Sequence, residues 1–203
     1  MLRKLPIVAV FGSGKAIDAE RERLAQSVGT MVAGLGAHLL TGAGYGVMAA
    51  VAQGFVAVER RSGLSIGIVP RDPAGPFDRP NRDPAGRSYP NPFVEIAIFT
   101  PLPPRVDDWL NEPARNHINV FSADAIIALP GGAGTQNELD MAAEYRGERD
   151  RPRRERRTLL LGPAEAFTPR HREWFAHATT IEEAERHLRR ILAGQGPAMR
   201  SAS

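Results

Sequence analysis

The chain contains no cysteine, so it can form no disulfide bond, no thiolate metal site and no cysteine nucleophile. Only two of its 26 basic residues are lysines, Lys4 and Lys15. No apolar run approaches the roughly 18 residues that a transmembrane helix needs. Residues 1–4 lead directly into an apolar strand and do not resemble a signal peptide, so a cytoplasmic protein without membrane association is expected.

The rest of the composition is that of an ordinary globular protein. The 203 residues, 42% of them hydrophobic, predict one domain with a full core over 1–203. The net charge of +3 has a local origin, because the segment 146–157 holds seven arginines against three acidic residues. This segment mixes charges and lacks aromatic residues, which favours a solvated loop over a nucleic-acid-binding patch.

Apolar and amphipathic segments alternate along the chain. Short apolar runs that end at glycine or proline predict strands, and apolar residues at helical spacing predict helices. The alternation predicts an α/β fold, a Rossmann-like three-layer α/β/α sandwich with a central, mostly parallel sheet. The predicted strands are 7–11, 37–41, 64–69, 93–99, 125–129 and 158–161. Helices are predicted after Asp18, over 47–60, within 106–122 with a start after Pro113, after Thr135 and over 181–194.

Residues 70–92 interrupt this alternation. Seven of the 17 prolines lie in this segment, and Arg-Asp-Pro-Ala-Gly occurs twice, at 71–75 and 82–86. Such a composition predicts a long irregular loop. It favours an insertion specific to the lineage over a flap above a pocket, because composition alone indicates no contacts.

The stretch 125–138 carries the strongest functional signal. Its apolar run 125–129 predicts a buried parallel strand, which a glycine-rich loop at 130–134 joins to a helix near Thr135. Glycines let backbone N–H groups approach an anion, and a helix N-terminus carries about half a positive charge. The stretch therefore predicts a phosphate site, with the carboxylate of Glu138 one turn inside the helix.

Two further glycine loops follow predicted strands, at 12–14 and at 42–46. Ligands of parallel sheets bind beyond the carboxyl ends of the strands, so the three loops should meet at one edge of the sheet. The loop 12–14 lacks the first glycine and the hydroxyl of a Walker A motif. The loop 42–46 lacks dinucleotide spacing and an acidic residue at the next strand end, so NAD is not expected.

Two observations favour simpler interpretations. The sequence Thr135-x-x-Glu138 fits a capping box, and taken alone this motif favours a Glu138 that merely closes the helix N-terminus. The five histidines have no metal-ligand spacing, so no metal site is predicted.

Taken whole, residues 130–138 resemble the P-G-G-x-G-T-x-x-E signature of the Lonely Guy family, phosphoribohydrolases that release free cytokinins from nucleoside 5′-monophosphates. The family carries an arginine 15 residues before the proline of this motif, where Arg115 stands here. Its second glycine loop resembles residues 41–48, which are one residue shorter, and its first strand ends in a Gly-Ser loop as at Gly12. The resemblance extends from about residue 7 to about residue 161.

The resemblance implies a Rossmann-like homodimer that binds a nucleoside monophosphate without a metal or other cofactor. Glu138 would stabilise the oxocarbenium-like state of the breaking N-glycosidic bond and orient the attacking water. Arg115 would hold the nucleotide by a forked contact, and main-chain N–H groups of the loop would hold its 5′-phosphate. The implied binding residues are Gly12, Ser13, Gly42, Gly44, Asn116, Gly131, Gly132, Gly134 and Thr135.

Two positions depart from the pattern of the active family. The family follows its arginine with lysine, where this chain has Asn116, and it often has a second acid where this chain has Asn137. Asparagine after the arginine is more similar to related nucleotide-binding proteins, including molybdenum-cofactor carriers. A phosphoribohydrolase acting on AMP or a cytokinin nucleotide is favoured, and a non-enzymatic carrier or sensor of a nucleotide or the molybdenum cofactor stays open. A lysine decarboxylase is rejected because neither lysine has the setting of a pyridoxal Schiff base.

Overall fold

A computed structural model describes residues 4–72, 81–83 and 85–193. Within these ranges, seven strands and six α-helices follow one another in the order β1, α1, β2, α2, β3, β4, α3, β5, α4, β6, α5, β7, α6. The strands are β1 (Ile7–Phe11), β2 (His38–Thr41), β3 (Ser65–Pro70), β4 (Ile96–Thr100), β5 (Ala125–Ala128), β6 (Thr158–Leu161) and β7 (Ala176–Ala178). The helices are α1 (Ala19–Gly34), α2 (Val47–Val56), α3 (Arg115–Ser122), α4 (Ala133–Tyr145), α5 (Pro169–Trp174) and α6 (Ile181–Ala193).

The strands form one sheet in the order β4-β3-β2-β1-β5-β6-β7, and all six neighbouring pairs are parallel. The predicted α/β, Rossmann-like fold is therefore confirmed. The chain builds the sheet outward from β1 to one edge and then restarts on the other side of β1 with β5. The carboxyl ends of β1 and β5 thus border the point where the strand order reverses, which is where open α/β sheets bind ligands.

Apolar side chains fill both faces of the sheet. One face packs against α1, α2 and α6 around residues such as Val10, Leu39 and Ile127, and the opposite face packs against α3, α4 and α5 around Phe11 and Ile126. All four residues of β5 are buried, as its unbroken apolar sequence predicts. Full burial of one such aliphatic side chain stabilises the fold by about 1.5–3 kcal/mol.

Local signals placed many element ends to within one residue, although α2 ends at Val56 and not at residue 60 as predicted. The Asp18 carboxylate accepts a hydrogen bond from the Arg21 N–H at 2.9 Å, so Asp18 is the N-cap of α1. Gly36, with a φ of 68°, follows the end of this helix in the left-handed conformation that glycine tolerates. By contrast, β4 begins three residues later than predicted, at Ile96, and α4 begins at Ala133, ahead of Thr135. The short elements α5 and β7 were not predicted.

The arginine-rich segment 146–157 differs from the expected solvated loop. The Arg146 guanidinium donates to the carbonyls of Val120 and Ala123, both at 2.8 Å, and Glu148 is fully buried. Arg156 is 9% exposed and donates to the carbonyl oxygen of Glu173. Part of this segment therefore holds helices and strands together, because planar guanidinium groups can bond several carbonyls at once. Within the described ranges, no helix has the length and apolar character needed to cross a membrane.

Candidate functional site

A cavity of about 260 Å³ lies at the carboxyl ends of β1, β2 and β5. The three glycine loops meet at this edge, as predicted from their positions after strands. Seven of the predicted site residues line the cavity: Gly12, Gly42, Arg115, Asn116, Gly134, Thr135 and Glu138. Gly14, from the predicted loop 12–14, also lines the cavity, and the remaining lining residues, which were not among the predicted site residues, are Val10, Phe11, Met48, Tyr89, Pro104 and Arg105.

Four predicted site residues support the cavity without lining it. Ser13 shapes the first loop, since its carbonyl accepts from the Val47 N–H at 2.9 Å and its hydroxyl accepts from the Lys15 N–H at 3.2 Å. Gly131 must be glycine, because a Cβ there would lie 2.1 Å from the hydroxyl oxygen of Thr135. Gly132 is the N-cap of α4, and Gly44 packs against a tyrosine of the loop 70–92.

The N-terminus of α4 presents free N–H groups beside the cavity. Gly132 caps this helix without a side-chain bond, and the Gln136 N–H makes the first helical bond, to the Gly132 carbonyl at 3.1 Å. The preceding N–H groups, from Ala133 to Thr135, have no intrahelical acceptor, and they donate no hydrogen bond to any other described residue. A Cβ on Gly132 or Gly134 would meet no atom within 4 Å, so this end of the helix opens onto free space.

Glu138 faces the cavity and does not cap its helix. It lies in the second turn of α4, beyond the position that a capping box uses, so the capping interpretation is wrong. Its Oε1 accepts a hydrogen bond from Asn119 Nδ2 at 3.1 Å, and the residue is 8% exposed. Burial raises the pKa of Glu138 to about 7, although the charge of Arg115 and the Asn119 hydrogen bond both act to lower it.

Arg115 begins α3 and lies against the second glycine loop. A Cβ on Gly42 would fall 1.4 Å from Arg115 Nη1, so only glycine leaves room for this guanidinium. Burial lowers the pKa of Arg115, and the nearby carboxylate of Glu138 opposes that shift. Its Nε and Nη1 atoms are buried without a hydrogen-bond partner in the described structure, and no ion pair within 4.0 Å joins it to Glu138. Arg115 and Glu138 thus both line the cavity without a direct ion pair between them.

The two positions that depart from the Lonely Guy pattern contact each other. Asn116 Nδ2 donates to Asn137 Oδ1 at 3.1 Å, and the two residues are 3% and 9% exposed. Asn137 Nδ2 in turn donates to the carbonyl of Val106 at 3.4 Å. A neutral amide pair thus stands where the family pattern has a cation and an acid. Because both residues are neutral, neither leaves an uncompensated buried charge.

The loop 70–92 contributes to the cavity wall, unlike the insertion that its composition favours. Tyr89 lines the cavity, and the buried Asn91 donates from Nδ2 to the Gly44 carbonyl at 2.8 Å. We refer to residues 81–83 and 85–92 as the tyrosine loop. Residues 73–80 and 84, which the prediction also covered, lie outside the described part of the chain.

Comparison with known proteins places this geometry in context. Residues 5–148 match the SLOG cluster4 family. An uncharacterized protein of Archaeoglobus fulgidus is 33% identical over 139 residues, which are 68% of this chain and 74% of that protein.

Two solved structures are similar over nearly their whole length. The molybdenum cofactor binding protein of Rippkaea orientalis is 28% identical with a TM-score of 0.66, and the match covers 93% of this chain and 98% of that one. The Moco carrier protein of Chlamydomonas reinhardtii is 27% identical with a TM-score of 0.66, and the match covers 94% of this chain and 99% of that one.

Proposed function

The chain belongs to the SLOG cluster4 family, and from that premise we propose that its cavity binds a phosphate monoester attached to a heterocyclic ring. The ligand class comprises purine nucleoside 5′-monophosphates and phosphorylated pterins such as the molybdenum cofactor. The observation that carries this proposal is the set of unpaired polar groups at the cavity. Free N–H groups of α4 lie there with Thr135 and Arg115, whose Oγ1, Nε and Nη1 atoms have no hydrogen-bond partner among the described residues.

The N-terminus of α4 is the proposed phosphate site. A phosphate has oxygen acceptors for several N–H groups at once, and the positive end of the helix favours its charge. The Thr135 hydroxyl, buried without a partner, supplies one further donor. An unpaired buried hydroxyl costs about 1–3 kcal/mol, so a ligand that bonds it recovers this energy.

Binding without chemistry is the function we favour. The Asn116–Asn137 pair lacks the charges of the active family, and the similar solved structures bind or carry the molybdenum cofactor. The residues present fit the phosphate end of the molybdenum cofactor, because hydrogen-bond donors without a partner are found where its anionic group would bind. In such a carrier, Arg115 and the α4 N–H groups would hold the cargo, and Glu138 would set the charge of the cavity.

A phosphoribohydrolase is the second candidate, and the burial of Glu138 opposite Arg115 favours it. Water would add to C1′ of the ribose while the C1′–N bond breaks. Glu138 would stabilise the positive charge at C1′ and take a proton from the water, and one proton would pass from Glu138 or solvent to the leaving nitrogen, which gives ribose 5-phosphate and the free base. A pKa of about 7 leaves Glu138 able to do this near neutral pH, since a general base works best near the operating pH.

Titration calorimetry with orthophosphate and 5′-AMP, and competition by the extracted molybdenum cofactor, test the proposal. Chromatography for free base after incubation with AMP or N6-substituted AMP separates the two candidates. Binding without base release supports the carrier, and base release that Glu138→Gln abolishes without loss of AMP affinity supports the hydrolase. Absence of binding by all three probes would overturn the proposed ligand class.

A homodimer, located in the cytoplasm, completes the proposal. Five exposed apolar residues are candidates for its interface: Ile96 and Ile98 of β4, Leu110, and Phe121 and Tyr145, whose ring centroids lie 5.2 Å apart. All five side chains are more than 40% exposed. A patch of this kind marks an interface, and a second copy presents the same surface to it. Light scattering should give the mass of a dimer for the wild type and of a monomer for Phe121→Asp, and a monomeric wild type would contradict the dimer.

A further inference from the structure

Tyr89 presents an unpaired hydroxyl group to the cavity. A Cβ on Gly44 would lie 2.5 Å from its Oη and 2.6 Å from its Cζ, so the phenol rests directly on the glycine backbone. The Oη atom makes no hydrogen bond with any described residue, although the side chain is close enough to Arg115 for their charges to interact. Burial raises the pKa of Tyr89, so the phenol keeps its proton at neutral pH and is a hydrogen-bond donor.

The tyrosine loop is attached to the second glycine loop by main-chain bonds. Asn91 is 1% exposed, its N–H donates to the Ala43 carbonyl at 2.8 Å, and its side chain donates to the Gly44 carbonyl at 2.8 Å. The Tyr89 N–H donates to the Asn81 carbonyl at 2.9 Å. These bonds set the position of Tyr89 relative to the end of β2.

A charged and aromatic cluster braces the same loop. The Arg87 guanidinium lies 3.7 Å above the ring of Tyr45 and bonds the buried Asp83 carboxylate at 2.7 Å. Tyr45 donates from its hydroxyl to the Ser88 carbonyl at 3.2 Å, and its ring lies edge-on to that of Tyr89, 6.1 Å between centroids. These contacts favour the observed arrangement of the loop.

Tyr89 and the phosphate site lie at opposite ends of the cavity. The phosphate site follows β5, Tyr89 stands over the loop that follows β2, and β1 lies between these two strands. Two strand spacings correspond to about 10 Å. A mononucleotide or a phosphorylated pterin can span such a distance, whereas orthophosphate cannot.

We propose that Tyr89 is the specificity-determining residue of this cavity. Its hydroxyl donates a hydrogen bond to an oxygen or nitrogen acceptor on the ring-bearing part of the ligand, remote from the phosphate. Arg87 is a positioning residue that acts through the Tyr45 ring. The inference rests on the proposed phosphate monoester ligand. A polar group that the protein leaves unpaired favours ligands that carry the matching acceptor over ligands that lack it.

Calorimetry with two probes, orthophosphate and 5′-AMP, tests this role. Tyr89→Phe keeps the ring and removes only the hydroxyl, so AMP affinity should fall about fivefold to tenfold while orthophosphate affinity stays within twofold. Tyr145→Phe, at an exposed tyrosine outside the cavity, is the matched control and should change neither affinity. Arg87→Gln should lower the affinity for AMP and leave the affinity for orthophosphate unchanged. If Arg87 acts through Tyr89, Arg87→Gln should have no further effect on AMP affinity in the Tyr89→Phe background.

The outcomes separate this inference from the proposed function. If the wild type binds both probes and Tyr89→Phe changes neither affinity, or changes both by the same factor, Tyr89 does not determine specificity. If the wild type binds neither probe, the proposed function fails and the inference fails with it. If Tyr89→Phe loses affinity for AMP and keeps its affinity for orthophosphate, the result supports both the role of Tyr89 and the proposed ligand class.

Discussion

Two buried arginine–glutamate pairs in this protein differ in what surrounds them. Arg146 and Glu148 approach to 3.6 Å, and Glu148 also accepts from the Arg157 N–H and the Thr158 hydroxyl. Arg115 and Glu138 form no such contact, and Glu138 has one side-chain partner, Asn119, among the described residues. The first pair is bonded to other protein groups, although Arg146 Nε itself, 3.6 Å from Glu148 Oε1, has no hydrogen-bond partner among the described residues, and the second pair lines a cavity.

The difference indicates which pair supports the fold and which supports function. A buried charge that protein atoms saturate holds structural elements in register. A buried charge with unpaired atoms raises the free energy of the ligand-free protein, and a ligand can lower it. Carboxylates in clefts whose pKa is strongly shifted by burial are therefore candidates for functional sites.

The largest expected effect is on stability, from removal of the structural arginine. Arg146→Met leaves Glu148 buried without its cation and should lower the free energy of unfolding by about 3–5 kcal/mol. Arg115→Met should cost less than about 1 kcal/mol at pH 6, because Glu138 can take up a proton. Urea denaturation of both variants measures the difference. Equal losses would show that the two pairs have the same structural role.

A second prediction concerns pH. The pKa of Glu138 lies above the ordinary value of 4.5, so the folded state binds more protons than the unfolded state between about pH 4.5 and 7. As the pH rises from about 4.5 to 7, the free energy of unfolding of the wild type should fall relative to that of Glu138→Gln, by at most about 1.4 kcal/mol per pH unit. Below this window the difference between the two proteins should stop changing. Thermal unfolding from pH 4 to 8 gives the slope, and a constant difference would contradict a raised pKa.

A third prediction separates ligand binding from folding. Arg115→Met and Thr135→Val each remove donors at the cavity, so each should weaken 5′-AMP binding by about 10- to 100-fold. Arg189→Met, at an exposed ion pair on α6, is the control and should bind AMP as the wild type does. Calorimetry on folded protein measures these affinities. Wild-type affinity in both cavity variants would place the ligand elsewhere.

The smallest expected effect is the coupling within the amide pair. Asn116→Lys should be destabilising because it buries an unpaired cation, and Asn137→Asp added to it should recover about 1 kcal/mol through the new ion pair. A double-mutant cycle by urea denaturation gives the coupling energy. Strictly additive effects would show that the two side chains do not interact.

Much of the fold and part of the site could be predicted from local sequence signals. The apolar run before Pro130 predicted β5, Asp18 predicted the start of α1, and the glycine loops predicted the edge of the sheet at which the cavity lies. The match to the SLOG cluster4 family and the similar structures confirms the resemblance to a Lonely Guy-like family.

The remaining features depend on tertiary contacts that no local pattern encodes. The contact between Asn116 and Asn137 joins two helices through residues that are 21 positions apart in sequence. Tyr89 reaches the cavity only because Asn91 bonds the backbone of the second glycine loop, and proline-rich composition does not indicate such a bond. The three residues of β7 are too few to show an alternating pattern.

A crystal structure of the protein with 5′-AMP tests the central claim most directly. The account predicts a phosphate within hydrogen-bond distance of the N–H groups of Gly134 and Thr135, with the nucleoside extending past Arg115 toward Tyr89. A phosphate bound at any other surface, with the N-terminus of α4 in contact with water alone, would contradict it.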